Sequence, residues 1–141
     1  LPQFLKAGAD LISVHVEADH DLASTLAEIR KAGCLAGLAF NPATPLSEVE
    51  PFLDQIDLLL AMTVVPGFGG QSFMPEVMPK VEEAVRLRSE RALEFHIEVD
   101  GGIDPSTAVA ASAAGANVLV AGSSTFKAPD MSAAVRAFRD A

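Results

Sequence analysis

Two stretches decide the fold of this chain: Val64-Val65-Pro66-Gly67-Phe68-Gly69-Gly70-Gln71-Ser72-Phe73 and, later, Glu98-Val99-Asp100-Gly101-Gly102-Ile103. Each stretch follows an apolar, strand-like segment and precedes a helix-like one. A third glycine run, Val120-Ala121-Gly122-Ser123-Ser124, ends the next strand-like segment. Because the carboxyl ends of parallel strands meet at one rim, the three runs would gather backbone N–H groups and the Asp100 carboxylate there. This arrangement predicts a parallel β/α fold that binds a phosphorylated substrate at the rim.

A repeated phrase supports the same fold. In each copy a helix ends at a glycine, where the left-handed backbone is tolerated, and the chain passes directly into a strand. The copies are Lys6-Ala7-Gly8-Ala9-Asp10 before residues 11–16, Lys31-Ala32-Gly33-Cys34 before residues 35–40, and Ala114-Gly115-Ala116-Asn117 before residues 118–121. Repeated β/α units of this kind indicate a parallel sheet with crossover helices.

The apolar runs and glycine or proline boundaries predict five strands and five helices. The predicted strands are 11–16, 35–40, 57–64, 95–100 and 117–122. The predicted helices are 20–32, 46–54, 75–90, 105–114 and 130–139.

Five strands are too few to close a (β/α)₈ barrel, which usually takes ~200 residues or more. The opening segment Leu1 to Lys6 has the pattern of the end of a helix. We therefore expect an α/β fold, a TIM (β/α)₈ barrel present here as a partial barrel of five parallel strands, in one domain over residues 1–141. The chain would then be the second part of a barrel. A five-stranded open sheet is the alternative.

Composition excludes several classes of function. The formal net charge of −9 argues against nucleic-acid binding, which needs a clustered basic face. No apolar segment reaches the ~18 residues of a membrane span, so we expect no membrane partner. The single cysteine, Cys34, leaves no disulfide framework and favours a cytoplasmic location.

Several motifs together resemble the ribulose-phosphate 3-epimerase family, in the same order and spacing along the whole chain. In that family this stretch corresponds to the fourth through eighth β/α units of a TIM barrel. The motifs are Ala7-Gly8-Ala9-Asp10 with Val14-His15-Val16-Glu17-Ala18, Asn41-Pro42-Ala43-Thr44-Pro45-Leu46, Pro66-Gly67-Phe68-Gly69-Gly70-Gln71-Ser72-Phe73, Glu98-Val99-Asp100-Gly101-Gly102 and Val120-Ala121-Gly122-Ser123.

The resemblance implies an isomerase of the pentose phosphate pathway that epimerises a ketopentose phosphate at C3, interconverting D-ribulose 5-phosphate and D-xylulose 5-phosphate. The reaction passes through a cis-enediolate, with two carboxylates on opposite faces and one divalent metal ion. Asp100 matches the family's metal ligand and proton donor. The metal would be Zn, Fe, Mn or Co. The other carboxylate and two histidine ligands belong to the second and third barrel strands, which this sequence does not contain. We expect the full-length protein to be a homo-oligomer.

The resemblance also implies the residues that contact the ketose-phosphate substrate. Met62 would cover the enediolate, although core packing is the alternative for a methionine at a strand end. The phosphate-binding residues would be Gly67, Phe68, Gly69 and Gly70 after strand six, Gly101 and Gly102 after strand seven, and Gly122 and Ser123 after strand eight. A β-branched residue at Gly69 or Gly122 would intrude on the N–H groups and strain a backbone of positive φ. The alternative is that these glycines only form tight turns.

Other polar side chains have two possible roles. His15, His20 and His96 are spaced too far from Asp100 to form a substitute metal site. His15 could line the barrel near the substrate or be a hydrogen-bonded interior histidine. Glu98 lies on the same strand face as Asp100, so it could tune Asp100 or be satisfied inside the barrel by a polar neighbour.

Departures from the family pattern leave the substrate preference open. Val65 stands where a polar residue is usual, Phe40 where a smaller aliphatic is common, and Ser124-Thr125 where Ala-Ile is typical. An epimerase of a related ketohexose phosphate is one alternative, and a partial barrel that only binds phosphate is another. Sibling barrels that decarboxylate or condense share the glycine rims but lack an aspartate in place of Asp100.

Overall fold

Five parallel strands form one sheet whose spatial order follows the order of the chain. The computed structural model describes residues 1–67 and 70–141. The strands are β1 (Leu11–His15), β2 (Leu35–Phe40), β3 (Leu58–Met62), β4 (His96–Asp100) and β5 (Val118–Val120). Sequential parallel order is the winding of a (β/α) barrel, whereas a doubly wound open sheet reverses its order at a switch point. The sheet order therefore favours the predicted partial barrel over the open sheet.

Helical segments connect the strands. No helix in residues 1–67 and 70–141 is both long enough and apolar enough to cross a membrane. The α-helices are α1 (Pro2–Lys6), α2 (Leu22–Lys31), α3 (Met78–Glu90), α4 (Pro105–Ala114), α5 (Ser123–Phe126) and α6 (Met131–Arg139). The 3₁₀ helices are Leu46–Glu48, Glu50–Gln55 and Pro75–Val77.

Helix α4 has the boundaries predicted from the sequence, because both of its ends carry strong local signals. The Asp104 carboxylate accepts hydrogen bonds from the N–H groups of Ser106 and Thr107 at 2.8 and 2.9 Å, and the Thr107 hydroxyl accepts from the Asp104 N–H. This is a capping box, with Pro105 at the first helical position. Gly115 ends the helix at φ +102°, a conformation that favours glycine.

The predicted helix over residues 46–54 is wrong. Two 3₁₀ helices, Leu46–Glu48 and Glu50–Gln55, occupy the segment. Pro51 explains the difference, because it has no N–H to donate and its ring clashes with a carbonyl of the preceding turn in a continuous α-helix. Short 3₁₀ helices tolerate this interruption.

The two faces of the sheet differ in character. Leu38, Leu59 and Ile97 pair side by side across β2, β3 and β4, and all three are completely buried in the core that the helices cover. On the opposite face Glu98 and Asp100 are only half-buried. The sheet therefore has an apolar face against the helices and a face with polar groups, which corresponds to the barrel interior.

Candidate active site

A cavity of about 320 Å³ lies at the carboxyl ends of β3, β4 and β5. It brings together most of the site residues predicted from the sequence, whereas Phe68 and Gly69 lie outside the described residues. The residues that line the cavity are Met62, Val64, Pro66, Gly67, Gly70, Gln71, Asp100, Gly101, Gly122 and Ser123. Of these, Val64, Pro66 and Gln71 were not among the predicted site residues, although they lie within or beside the quoted glycine run.

Asp100 is the last residue of β4 and pairs in register with Met62, the last residue of β3. Its carboxylate has no hydrogen-bond partner within the described part of the chain. Burial raises the pKa of Asp100 above its ordinary value. The pKa of Glu98, on the same face, is also raised, first by burial and then by the negative charge of Asp100. A half-buried carboxylate that lines a cavity and has no partner among the described residues has the character of a group that exchanges protons with a ligand.

The Asp100 carboxylate also fits one position of a divalent-cation site, because hard cations take carboxylate oxygens and no side chain in the described ranges engages it. Residues 1–67 and 70–141 contain no group of three or more His, Cys, Asp or Glu side chains that could hold a metal ion. The described residues therefore supply Asp100 as a single ligand, and any complete metal site would need ligands from elsewhere.

His15 belongs to a network around Glu17, at the opposite edge of the sheet from β5, and two strands lie between it and the strand of Asp100. The His15 Nδ1 atom lies 3.0 Å from the Glu17 carboxylate, which also accepts hydrogen bonds from the Asn41 N–H at 2.7 Å and from the Thr44 hydroxyl. Burial raises the pKa of Glu17, but these hydrogen bonds outweigh it, so the pKa is lowered overall. The structure thus places His15 in a hydrogen-bonded pair on β1, separated from β4 by two strands.

The other two histidines occupy separate places. The His20 Nδ1 atom lies 3.1 Å from the Thr25 hydroxyl. His20 precedes helix α2, and Thr25 lies within it. The His96 Nδ1 atom lies 3.0 Å from the Asn117 side-chain nitrogen. His96 is the first residue of β4 and Asp100 is the last, so these two residues lie at opposite rims of the sheet.

Thr63, which follows β3, connects the loops after β3 and β4. Its N–H donates to the Asp100 carbonyl at 2.8 Å, and its hydroxyl donates to the Gly101 carbonyl at 2.6 Å. Its own carbonyl accepts from the Met74 N–H at 2.9 Å. Sequence reasoning missed Thr63. The available signal was a polar residue directly after the apolar run Leu58–Met62.

Glycine is required at Gly102 for two independent reasons. Its φ is +65°, and a Cβ atom added there would lie 2.3 Å from the Phe73 backbone nitrogen. Such a contact is far shorter than real Cβ atoms allow. The loops after β3 and β4 are therefore packed against each other without space for a side chain.

Gly122 has neither the positive φ nor the close contact found at Gly102. Its φ is −87°, so the expectation of a positive φ at this position is wrong. Within residues 1–67 and 70–141, no atom other than those of its chain neighbours lies within 4 Å of a Cβ added to Gly122, and the residue lines the cavity just before α5. The segment after β5 is hydrogen-bonded to the loop after β4, because the Ser124 hydroxyl donates to the Ile103 carbonyl at 2.5 Å. The open space beside Gly122 can therefore accommodate a ligand.

The sequential parallel sheet, with a cavity at the carboxyl ends of its strands, defines a (β/α)-barrel protein. Solved structures confirm this fold. One structure of 3-hexulose-6-phosphate synthase matches 96% of the chain and 63% of its own length, with a TM-score of 0.67 and 24% identity. A second, from Salmonella typhimurium, matches 98% of the chain and 64% of its own length, with a TM-score of 0.71 and 21% identity.

Within this class, the chain belongs to the ribulose-phosphate 3-epimerase family, whose model matches residues 1–126. The ribulose-phosphate 3-epimerase of Synechocystis sp. is 50% identical over 139 residues, covering 97% of this chain. The enzyme of that name from Escherichia coli (strain K12) is 45% identical over 130 residues, covering 92%. The chloroplastic ribulose-5-phosphate-3-epimerase of Arabidopsis thaliana is 44% identical over 141 residues, covering 99%.

The chain is shorter than these relatives. It spans 60% of the Synechocystis protein, 58% of the Escherichia coli protein and 50% of the Arabidopsis protein.

Proposed function

We propose that residues 1–141 form the phosphate-binding and proton-transferring part of a ribulose-phosphate 3-epimerase, which interconverts D-ribulose 5-phosphate and D-xylulose 5-phosphate. One observation carries the proposal. Asp100 and glycines from three consecutive strand ends line one cavity of about 320 Å³. Membership of the epimerase family supports the same reaction.

The phosphate would lie against the glycine loops. The chain carries a net charge of −9, so local backbone dipoles rather than an overall positive field must hold a dianion. Gly67, Gly70, Gly101 and Gly122 have no Cβ between their backbone and the cavity. The short helix α5 begins directly after Gly122, and a short extra helix after the last strands is a recurrent part of phosphate sites in (β/α) barrels.

Asp100 would serve one face of the C3 carbon. Epimerisation removes the C3 proton from one face and returns a proton to the other, so two acid–base groups are needed. Asp100 has a raised pKa and a carboxylate that no described side chain engages, and both properties suit a group that accepts and returns a proton. A second carboxylate from outside this cavity would serve the opposite face. Met62, on the adjacent strand end, would exclude water from the reacting carbons.

The proposal includes a divalent cation, with Asp100 as one of its ligands. When bound, such a cation stabilises the negative charge that develops on the enediolate oxygens. Zn, Fe, Mn and Co are the proposed candidates, and Asp100 does not discriminate among them.

The test is the Asp100→Asn variant of the intact protein that carries residues 1–141, assayed for conversion of D-ribulose 5-phosphate to D-xylulose 5-phosphate. The substitution keeps the side-chain shape and removes the proton-accepting carboxylate, so we expect at least a thousandfold loss of kcat. Asp54→Asn is the matched control, because Asp54 is exposed and lies outside the cavity.

Activity of Asp100→Asn within tenfold of wild type, equivalent to ~1.4 kcal/mol in the barrier, would contradict the assigned role. A parallel assay with a ketohexose phosphate tests the related substrate. Faster conversion of the hexose phosphate would replace the pentose phosphate in the proposal.

A further inference from the structure

Thr63 is completely buried and uses its backbone and side chain to join two loops of the candidate site. Its N–H and hydroxyl donate to two successive carbonyls, those of Asp100 and Gly101. Its carbonyl accepts from Met74, which closes the base of the loop after β3. Thr63 therefore contacts both the loop that carries Gly67 and Gly70 and the strand end that carries Asp100.

The two donated bonds orient two peptide groups. A trans peptide is planar, and its C=O and N–H point in opposite directions. The bond to the Asp100 carbonyl therefore fixes the direction of the Gly101 N–H. The bond from the Thr63 hydroxyl to the Gly101 carbonyl fixes the direction of the Gly102 N–H in the same way.

We propose that Thr63 is a positioning residue that couples phosphate binding to proton transfer, through the hydrogen bond of its hydroxyl to the Gly101 carbonyl. This inference rests on the proposed function. Thr63 contacts neither phosphate nor the reacting carbon. It holds the backbone on which the Asp100 carboxylate and the Gly101 and Gly102 N–H groups are mounted.

Loss of the hydroxyl alone should disturb both functions. Gly101 is buried, so its carbonyl would lose its partner without gaining water, and the peptide between Gly101 and Gly102 would be free to rotate. The Gly102 N–H would then turn from its present direction, and the adjacent Asp100 would move with the backbone. Packing around Thr63 would remain, because valine has the same shape as threonine.

The experiment compares Thr63→Val, Thr63→Ser and Thr63→Cys in the intact protein that carries residues 1–141. Thr25→Val is the matched control, because the Thr25 hydroxyl also donates to a backbone carbonyl, that of Asp21 at 2.9 Å, but at a partly exposed position of helix α2 that does not line the cavity. The measurements are kcat and KM for D-ribulose 5-phosphate, the inhibition constant of inorganic phosphate, and the thermal midpoint.

We expect Thr63→Val to lower kcat at least tenfold and to raise the phosphate inhibition constant at least tenfold. Thr63→Ser retains the hydroxyl and should stay within threefold of wild type in both. Thr63→Cys, with a weaker donor, should lie between them. Thr25→Val should leave both constants unchanged.

A Thr63→Val protein with a lower thermal midpoint but unchanged kcat and phosphate inhibition would overturn the inference, since Thr63 would then serve folding alone. A serine variant as impaired as the valine variant would also overturn it. If Thr63→Val does not fold, the serine and cysteine pair decides the question, and equal constants for these two would contradict the role of the hydroxyl. Wild-type protein that binds phosphate without converting the ketose would refute the proposed function instead.

Discussion

Two glycines of the candidate site should respond to the same substitution in opposite ways. Gly102→Ala should destabilise the fold, whereas Gly122→Ala should leave the fold intact and weaken substrate binding. The contrast follows from the surroundings of each residue. A Cβ at Gly102 meets the Phe73 backbone nitrogen at 2.3 Å, whereas a Cβ at Gly122 meets no atom of a non-neighbouring described residue within 4 Å.

The magnitude at Gly102 has two parts. Its φ of +65° is left-handed, and an L-residue there costs roughly 1–2 kcal/mol. The clash adds to this cost, because a backbone nitrogen cannot move away as a flexible side chain could. Forced overpacking costs about 1–3 kcal/mol, so the sum is about 2–5 kcal/mol. At about 2–4 °C per kcal/mol for a domain of 150–250 residues, the thermal midpoint should fall by at least about 4 °C.

At Gly122 the expected loss concerns the ligand. An alanine methyl group would project into unoccupied space beside the cavity where the proposal places phosphate. KM for D-ribulose 5-phosphate should rise at least tenfold, about 1.4 kcal/mol of binding. The thermal midpoint without substrate should stay within about 2 °C of wild type, because nothing in the fold is displaced.

The assay is a melting curve without ligand, followed by steady-state kinetics, on both variants of the intact protein. A Gly102→Ala variant that melts at the wild-type temperature would contradict the predicted clash, and a Gly122→Ala variant with an unchanged KM would contradict the predicted contact with substrate. A Gly122→Ala variant that melts as early as Gly102→Ala would show that Gly122 serves only the turn.

Three further predictions concern stability and assembly. Glu17→Gln should lower the thermal midpoint at pH 7, because the pKa of Glu17 in the folded state is below its ordinary value of 4.5. The ionised form of Glu17 therefore stabilises the fold above pH 4.5, and this stabilisation is lost as the pH falls through the lowered pKa. A melting curve of Glu17→Gln at pH 7 that matches wild type would contradict this prediction. Leu59→Ala should cost about 2–5 kcal/mol in chemical denaturation, because Leu59 is completely buried between Leu38 and Ile97, and a loss below 1 kcal/mol would contradict the described packing. Residues 1–141 expressed alone should self-associate through the unpaired outer edges of β1 and β5, and a stable monomer in light scattering would contradict this.

The sheet and α4 could be predicted from the sequence because their signals are local. The strands β2, β3 and β5 are apolar runs, and β4 alternates apolar residues with polar ones. Helix α4 begins with Asp104-Pro105 and ends at Gly115, which are the residues that helix ends require. The strand ends also placed Asp100 and the glycine loops at one rim, because parallel strands all end on the same side of a sheet.

The parts that sequence reasoning missed depend on tertiary contacts or on a competing local signal. The segment of residues 46–54 has helical spacing, but Pro51 interrupts it and the chain forms 3₁₀ turns. A polar residue directly after the run Leu58–Met62 marks Thr63 as unusual, but its partners are carbonyls at the end of β4, which lie far along the sequence and are known only from the fold. At Gly122 the glycine pattern suggested a positive φ, whereas the structure shows open space as its distinctive property.

Incorporation of deuterium at C3 tests the central claim most directly. The intact protein that carries residues 1–141 is incubated with D-ribulose 5-phosphate in D₂O, and the product is examined by ¹H NMR. If Asp100 serves one face of C3 and a second group serves the other, the proton that leaves is not the one that returns. The D-xylulose 5-phosphate formed should therefore carry deuterium at C3, and Asp100→Asn should form it at least a thousandfold more slowly. Product that retains its C3 proton, or no product from the wild-type protein, would contradict the account.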